Sequence, residues 1–381
     1  MQKMASERKQ VVILGAGYGG TALAKRLDPH FQVTLVEQKE RFFHNVGSLR
    51  AAVDNAWLTK LFIPYDHLLQ HGRLVHGTVE DVTPKEVHLA TGETLPFDYL
   101  VLATGSSYPF PAKMPFNDIA RAHELVVQVN ERIREARSIL LIGAGPVGIE
   151  FAGEIASTYP GKRVTLIDVV PHLLSQFNPK VGRLLQKDLD ALGVTVILGE
   201  SITPLPSGTN ATETGPLTMQ TFVTDKGRTL EADLYFVCFG VQPNTGYLRP
   251  HLASSLDARG FVKVNRFLQV EPYQHIFALG DMTDVKEAKM AYAADAQGKV
   301  VAENLKRLAQ HPGTSMTLQV YTPMTPPVAI IPVGPHRGAA QLPFGKQGLV
   351  LGAFVASRIK GKSLFAERYW QQLNASLIHV K

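Results

Sequence analysis

The sequence predicts an α/β fold built on two copies of one β-α-β unit, with a small C-terminal α+β extension. Three observations predict it. A glycine cluster at Gly15, Gly17, Gly19 and Gly20 lies between an apolar run and an alanine-rich stretch, and a second at Gly143, Gly145 and Gly148 has the same setting. An acid closes each unit, Glu37 in the first and Asp168 in the second. Apolar runs alternating with helical patterns are the signature of a parallel sheet.

In chain order, Val11–Leu14 reads as a buried strand, Thr21–Leu27 as helix and Val33–Val36 as the second strand. Strand Ile139–Ile142, helix Val147–Ala156 and strand Val164–Ile167 repeat that pattern. Between the copies, Leu95–Gly105 reads as one buried strand ending in a glycine turn, and Tyr108–Pro115 as a proline-rich crossover between domains. Asp233–Gly240 reads as a further buried strand, closed by a turn at Gln242, Pro243 and Asn244. Gly260–Asp281 supplies more strands as the chain returns to the first unit. The expected domains are residues 1–108 with 244–310, residues 109–243, and residues 311–381.

Composition narrows the class. In 381 residues, 45% hydrophobic content with 32 glycines and 24 prolines describes an ordinary globular protein with many turns. A single cysteine, Cys238, excludes an intrachain disulfide and suits a reducing, cytoplasmic setting. No apolar run is long enough to span a membrane, no secretory segment opens the chain, and Gln2 stands where N-myristoylation needs glycine. The formal charge of +6 comes without a block of basic residues, so dispersed solvated charge is the favoured reading, with nucleic acid disfavoured. No metal site is read from the sequence.

The glycine clusters carry the chemistry. One glycine makes the turn, one lets backbone approach a pyrophosphate, and one lets helix and strand pack closely, while the helix start offers free N–H groups. A chance match in a glycine-rich chain is the alternative, and the flanking strand, helix and acid argue against it. Glu37 is placed to accept from ribose hydroxyls. Asp168 is placed to repel a 2′-phosphate, so NADH is favoured over NADPH, with Val147 beside the second cluster. Glu150 and Glu154 have two readings, solvated helix positions or, for Glu150, a contact with the nicotinamide ribose. Cys238 reads as a buried structural residue.

A third signal, the Gly280–Asp281 pair that closes the apolar strand from Phe277, and Ala103, Thr104 and Gly105 at the crossover resemble the two-dinucleotide flavoproteins, whose architecture is glutathione-reductase-like, with Rossmann-type domains for FAD and NAD(P). That resemblance implies FAD at the first site and NADH at the second, with Asp281 on the ribityl and phosphate part of FAD. Two sites in one chain suit hydride transfer from nicotinamide to flavin. Lacking a redox cysteine pair, the chain departs from the disulfide reductases and sulfide oxidases of the superfamily, so the acceptor is expected to meet the flavin directly.

Further stretches resemble the apoptosis-inducing-factor flavoproteins of the ferroptosis-suppressor type, relatives of type II NADH:quinone dehydrogenases. They include His44 to Val46 with Leu49 and Arg50, Ala103 to Ser106 with Pro109 to Pro111, Val223 to Gly227, and Lys289 to Tyr292. The resemblance implies FAD contacts at Gly15, Gly17, Tyr18, Gly19, Gly20, Glu37, Arg50, Val79 and Asp281, with Lys289, Met290 and Ala291 near the ring. It implies a quinone of the coenzyme Q or vitamin K type as acceptor, reduced to an antioxidant quinol. Lys360 and Phe365 match positions beside the quinone, with Tyr292 as a third catalytic candidate. A solvated lysine remains the other reading of Lys360. Asp168 replaces a histidine of that family. A soluble-acceptor reductase of the ferredoxin or monodehydroascorbate type, and a nucleic-acid-binding flavoprotein, are the competing functions.

From Phe365 a single amphipathic helix is expected, gathering Phe365, Tyr369, Leu373, Leu377 and Val380 on one face beside Arg358, Lys360 and Lys362. Such a face fits a peripheral membrane contact, and equally packing on the protein's own body or a homodimer partner.

Overall fold

The computed structural model describes residues 8–310 and 318–376. The first unit begins with strand Gln10–Leu14, turns through the glycines into helix α1 (Tyr18–Leu27), and returns as strand Gln32–Glu37. Helix α1 is enclosed on most sides: Gly19 to Ala24 and Leu27 are buried, and only Tyr18, Lys25 and Arg26 are partly exposed. The chain then places helix α2 (Asn45–Ala51) against the second half of the molecule. A five-stranded sheet has the order Ile276–Ala278, Tyr99–Leu102, Gln10–Leu14, Gln32–Glu37, Arg73–His76, all parallel. Its central strands are largely apolar because both faces are covered, whereas the edge strand Arg73–His76 is mostly exposed.

The second unit repeats the plan. Strand Ser138–Ile142 leads to helix α3 (Pro146–Thr158), with Pro146 at the first helical position, where its missing N–H costs nothing. Its four parallel strands run in the order Thr195–Leu198, Arg163–Asp168, Ser138–Ile142, Leu234–Val237. Helix α4 (Ala291–Gln310) returns to pack along α1. A three-stranded antiparallel sheet, Ala329–Val333, Arg337–Leu342 and Leu349–Leu351, follows, and helix α5 (Ala366–Gln372) ends the described chain.

Three sequence expectations change. Leu95–Gly105 is two strands: Thr94–Pro96 joins a separate antiparallel sheet and Tyr99–Leu102 enters the parallel one. Pro96 has no N–H for a continuous ladder, and Asp98 between them accepts from Gln10 N–H at 2.7 Å. Gln242 and Pro243, read as a turn, pair antiparallel with Ser106 and Ser107, so two short strands tie the crossover together. The C-terminal helix stops at Gln372, followed by Asn374 at φ +54°. Leu377 and Val380 lie outside the described residues.

The face of α5 is spent on the body of the protein. Tyr369, Trp370 and Leu373 join the core of Val11, Leu35 and Phe277. Trp370 Nε1 donates to Lys60 O at 3.1 Å, and Lys25 Nζ to Gln372 O at 2.9 Å. Of the alternatives open for this face, packing on the protein itself is the one its described residues adopt.

Candidate functional site

The first glycine turn opens onto a cleft of about 910 Å³ that continues past the second unit to the C-terminal segment. The glycines at its head are not equivalent. Gly15 holds φ +97°, and a Cβ there would sit 2.5 Å from Ala103 O; a Cβ on Gly20 would collide with Gly15 O. A Cβ on Gly17 would meet nothing within 4 Å, because it would point into the cleft. No side chain caps α1 and no acid occupies its first turn, so its N–H groups and positive dipole end face open space. Glu37 accepts from Ala16 N–H at 2.6 Å and from the N–H groups of Gln38 and Lys39 at 2.9 Å, which fixes its carboxylate at the cleft wall. These residues fit a dinucleotide diphosphate with its ribose.

The second turn copies the first. Gly143 has φ +113°, a Cβ on Gly145 would meet nothing within 4 Å, and Gly148 abuts Gly143 O. Asp168 accepts from Ala144 N–H at 2.6 Å, the counterpart of the Glu37 bond.

Most of the anticipated residues line the one cleft: Gly15, Gly17, Tyr18, Gly19, Glu37, Val79, Ala103, Thr104, Gly105, Val147, Glu150, Gly280, Asp281, Lys289, Met290, Ala291, Tyr292, Lys360 and Phe365. Gly20 lies behind it as a packing residue, and Gly143, Gly145, Gly148 and Asp168 form the separate second turn. Arg50 does not line the cleft. It is buried and forks onto Glu154, with Nε at 2.9 Å and Nη2 at 2.7 Å, and its third donor reaches Lys362 O. The guanidinium is therefore committed within the protein.

Glu150 and Glu154 are buried, which overturns the solvated reading of both. Glu150 Oε1 lies 2.6 Å from Lys360 Nζ, and only 14% of the lysine side chain is exposed, so the solvated reading of Lys360 falls as well. Burial pushes the Glu150 carboxyl above its ordinary range, against the pull of Lys360.

Around Asp281 a second charged cluster forms. Lys113 Nζ lies 2.7 Å from Asp281 Oδ2, and Ser106 Oγ donates to the same oxygen at 2.9 Å. Burial alone would raise this carboxyl, but the charge of Lys113 and the two hydrogen bonds outweigh it and hold it below the usual carboxylate range. Sequence reasoning missed Lys113; its only signal was a lone cation within the proline-rich crossover. Lys289 donates to Thr283 O at 2.7 Å and Val285 O at 3.0 Å, and burial lowers its pKa.

His44 is fully buried and pushed down to about 4 by burial, so its ring is neutral at neutral pH. Its Nε2 lies 2.8 Å from Leu364 O, which can only accept, so Nε2 carries the hydrogen. Nδ1 then accepts from the Tyr18 hydroxyl at 3.1 Å, and that oxygen accepts from Val46 N–H. The relay fixes the turn holding Leu364 and Phe365, both at positive φ, 47° and 60°. Phe365 is thereby held at the cleft wall in a conformation a bulky residue rarely adopts.

Cys238 is buried with its thiol pushed up to about 12, away from thiolate chemistry.

A family model described as pyridine nucleotide-disulphide oxidoreductase matches residues 9–298. The apoptosis-inducing factor homolog B of Dictyostelium discoideum is 36% identical over 97% of this chain and 98% of that protein. Ferroptosis suppressor protein 1 of Homo sapiens is 32% identical over 96% of each chain. Among solved structures, the sulfide:quinone oxidoreductase of Aquifex aeolicus matches with a TM-score of 0.74 at 19% identity, over 97% of this chain and 92% of that one, a likeness of fold.

Proposed function

The chain belongs to the pyridine nucleotide-disulphide oxidoreductase family, and from that premise we propose that it is an FAD-dependent NADH:quinone oxidoreductase. Family membership implies a flavin and a nicotinamide nucleotide. The narrower assignment puts FAD on Gly15, Gly17, Glu37 and Asp281, and NADH on Gly143, Gly145 and Asp168. Residues 1–108 with 244–310 then form the flavin domain, 109–243 the nicotinamide domain, and 311–381 the acceptor side.

The observation that carries the proposal is the far end of the cleft. Ile330, Ile359, Phe365 and Tyr292 give it an apolar wall, and the buried Lys360–Glu150 pair lies among them. Among the described residues no second thiol stands near to relay electrons, and Cys238 is inert. When bound, the flavin supplies two-electron exchange between nicotinamide and acceptor. Reduction of a quinone by NADH consumes one further proton, and Lys360 Nζ is the donor positioned to supply it or to hydrogen-bond the acceptor oxygen. Glu150 keeps that ammonium in place. The apolar wall excludes water and suits a quinone ring. The sulfide:quinone oxidoreductase that shares this fold carries a quinone in its name, which agrees with such an acceptor.

Steady-state NADH oxidation with a short-chain quinone, ferredoxin or ferricyanide as rival acceptors tests the proposal. Quinone is expected to turn over at rates near ferricyanide. Turnover with ferredoxin and none with quinone would replace the proposal by a soluble-acceptor reductase.

A further inference from the structure

The two β-α-β units are close enough copies to locate, in the second, the edge of a bound nucleotide that lies beyond the acid. In the first unit Glu37 pairs in register with His76 on the neighbouring strand, and Gly77 N–H, just past that strand, donates to Glu37 O at 2.9 Å. Gly77, Thr78 and Val79 then line the cleft beside Glu37. In the second unit Asp168 pairs with Leu198, and Glu200 N–H donates to Asp168 O at 3.2 Å. Gly199 N–H donates to Val170 O at 3.0 Å, so Gly199 and Glu200 stand beside Asp168 as Gly77 to Val79 stand beside Glu37. An acid in this place accepts from the adenosine ribose, which puts Gly199 at the adenosine edge of the second turn.

A cation stands over that glycine. Strands Gln220–Val223 and Thr229–Ala232 form a hairpin, and Lys226, exposed at its tip, brings Nζ to 3.7 Å from the point that a Cβ on Gly199 would occupy. Gly199 holds φ +75° and carries no side chain to block the ammonium. The tip is tied down, since Asp225 N–H donates to Ser201 O at 2.9 Å and Ser201 N–H to Asp225 Oδ1 at 3.0 Å. The acid nearest to hand, Glu200, is already committed: Arg228 Nη2 lies 2.9 Å from its Oε1, and Thr224 Oγ1 donates to its Oε2 at 2.8 Å. Arg228 is thereby neutralised, whereas Lys226 forms no ion pair among the described residues.

We propose that Lys226 is a specificity residue of the nicotinamide nucleotide site, its ammonium reaching the 2′ position of the adenosine ribose and binding a 2′-phosphate. Asp168 and Lys226 then act in opposite senses on one position: the carboxylate accepts from a 2′-hydroxyl and repels a phosphate, while the ammonium attracts the phosphate and gains little from the hydroxyl. The two do not balance. Asp168 is fixed at the strand end by Ala144 N–H at 2.6 Å and Val170 N–H at 3.2 Å, whereas the lysine is a flexible, exposed arm. NADH therefore stays ahead, and Lys226 limits the margin by which NADPH falls behind. The inference rests on the assignment of the second turn to a nicotinamide nucleotide and is independent of the electron acceptor.

Flavin-loaded parent, Lys226→Ala, Lys226→Arg, and Asp168→Ala with and without Lys226→Ala are to be titrated with NAD+ and NADP+ by calorimetry at low salt, where exposed charge acts most strongly. The ratio of the NADP+ Kd to the NAD+ Kd should rise about fivefold or more in Lys226→Ala, because a charge-assisted contact to the 2′-phosphate is lost, and stay near the parent value in Lys226→Arg. Asp168→Ala should lower the ratio, and adding Lys226→Ala should reverse that fall. An unchanged ratio in both lysine-to-alanine backgrounds makes Lys226 a solvated hairpin tip and overturns the proposal. Equal weakening of the two nucleotides overturns it as well, since the contact is then with a part they share. A parent that binds neither nucleotide, and whose flavin neither NADH nor NADPH bleaches, removes the nicotinamide assignment and the proposal with it, whereas NAD+ binding with a ratio insensitive to Lys226 removes the proposal alone.

Discussion

Gly17 is where a single methyl group separates folding from cofactor binding. A Cβ there meets no protein atom within 4 Å, whereas one on Gly20 strikes Gly15 O. Gly17→Leu is therefore expected to yield folded protein that purifies without flavin, and Gly20→Leu to yield little soluble protein. The ratio of visible to ultraviolet absorbance and a circular dichroism melt separate the two outcomes, and normal flavin content in the Gly17 variant would remove the first turn from the site. Asp168 allows a second test at this scale. It holds the Ala144 N–H at 2.6 Å, so its charge is fixed at the end of the strand that precedes the 2′ position in such folds. Repulsion of a 2′-phosphate there is about 1 to 4 kcal/mol depending on solvent access. Stopped-flow bleaching should show NADH ahead of NADPH by tenfold or more, with the gap narrowed in Asp168→Ala. Equal rates in the parent would mean the carboxylate does not face the ribose.

Among the elements, the β-α-β units were legible because their determinants are local: strand, glycine turn, helix and acid fall within about 30 residues, and the structure extends each element by no more than three residues at either end. The helix after Phe365 was legible only in part. Its periodicity gave an apolar face, but periodicity cannot say whether the face meets lipid or core, and Trp370 and Leu373 are core. The link between α2 and the last turn was not legible at all. His44, at the start of α2, reaches Leu364 across 320 positions of sequence. That link has a pH signature. The folded His44 titrates near 4 against 6.5 for the free group, so its contribution is present above pH 6.5 and lost as the pH falls toward 4. The loss totals on the order of 3 kcal/mol. Melting temperatures at pH 7.5 and pH 5 should fall steeply for the parent and less for His44→Gln, which starts lower. Parallel slopes would show that another group governs acid lability.

At the scale of the whole molecule, the two halves and the C-terminal segment are joined by buried charge rather than by apolar packing alone. Arg50 on α2 grips Glu154 on α3 and the carbonyl of Lys362, while Glu150, one turn earlier on α3, grips Lys360. No spacing rule brings residues 50, 150, 154 and 360 together, so these partners are knowable only from the fold, although each residue except Glu154 had been singled out for other roles. The geometry separates two explanations for Arg50. If it serves mainly to neutralise Glu154, Arg50→Ala strands a carboxylate that is 4% exposed and costs about 3 to 5 kcal/mol. Replacing both partners, Arg50→Leu with Glu154→Leu, should then recover most of that loss, because an apolar pair of similar volume avoids the desolvation of two ions. Urea unfolding of the parent, the single and the double variant measures this directly, with the slope checked for constancy. A double variant as unstable as the single would mean that the hydrogen bond to Lys362 O and the fork geometry hold the three parts in register, and that the ion pair is there for alignment.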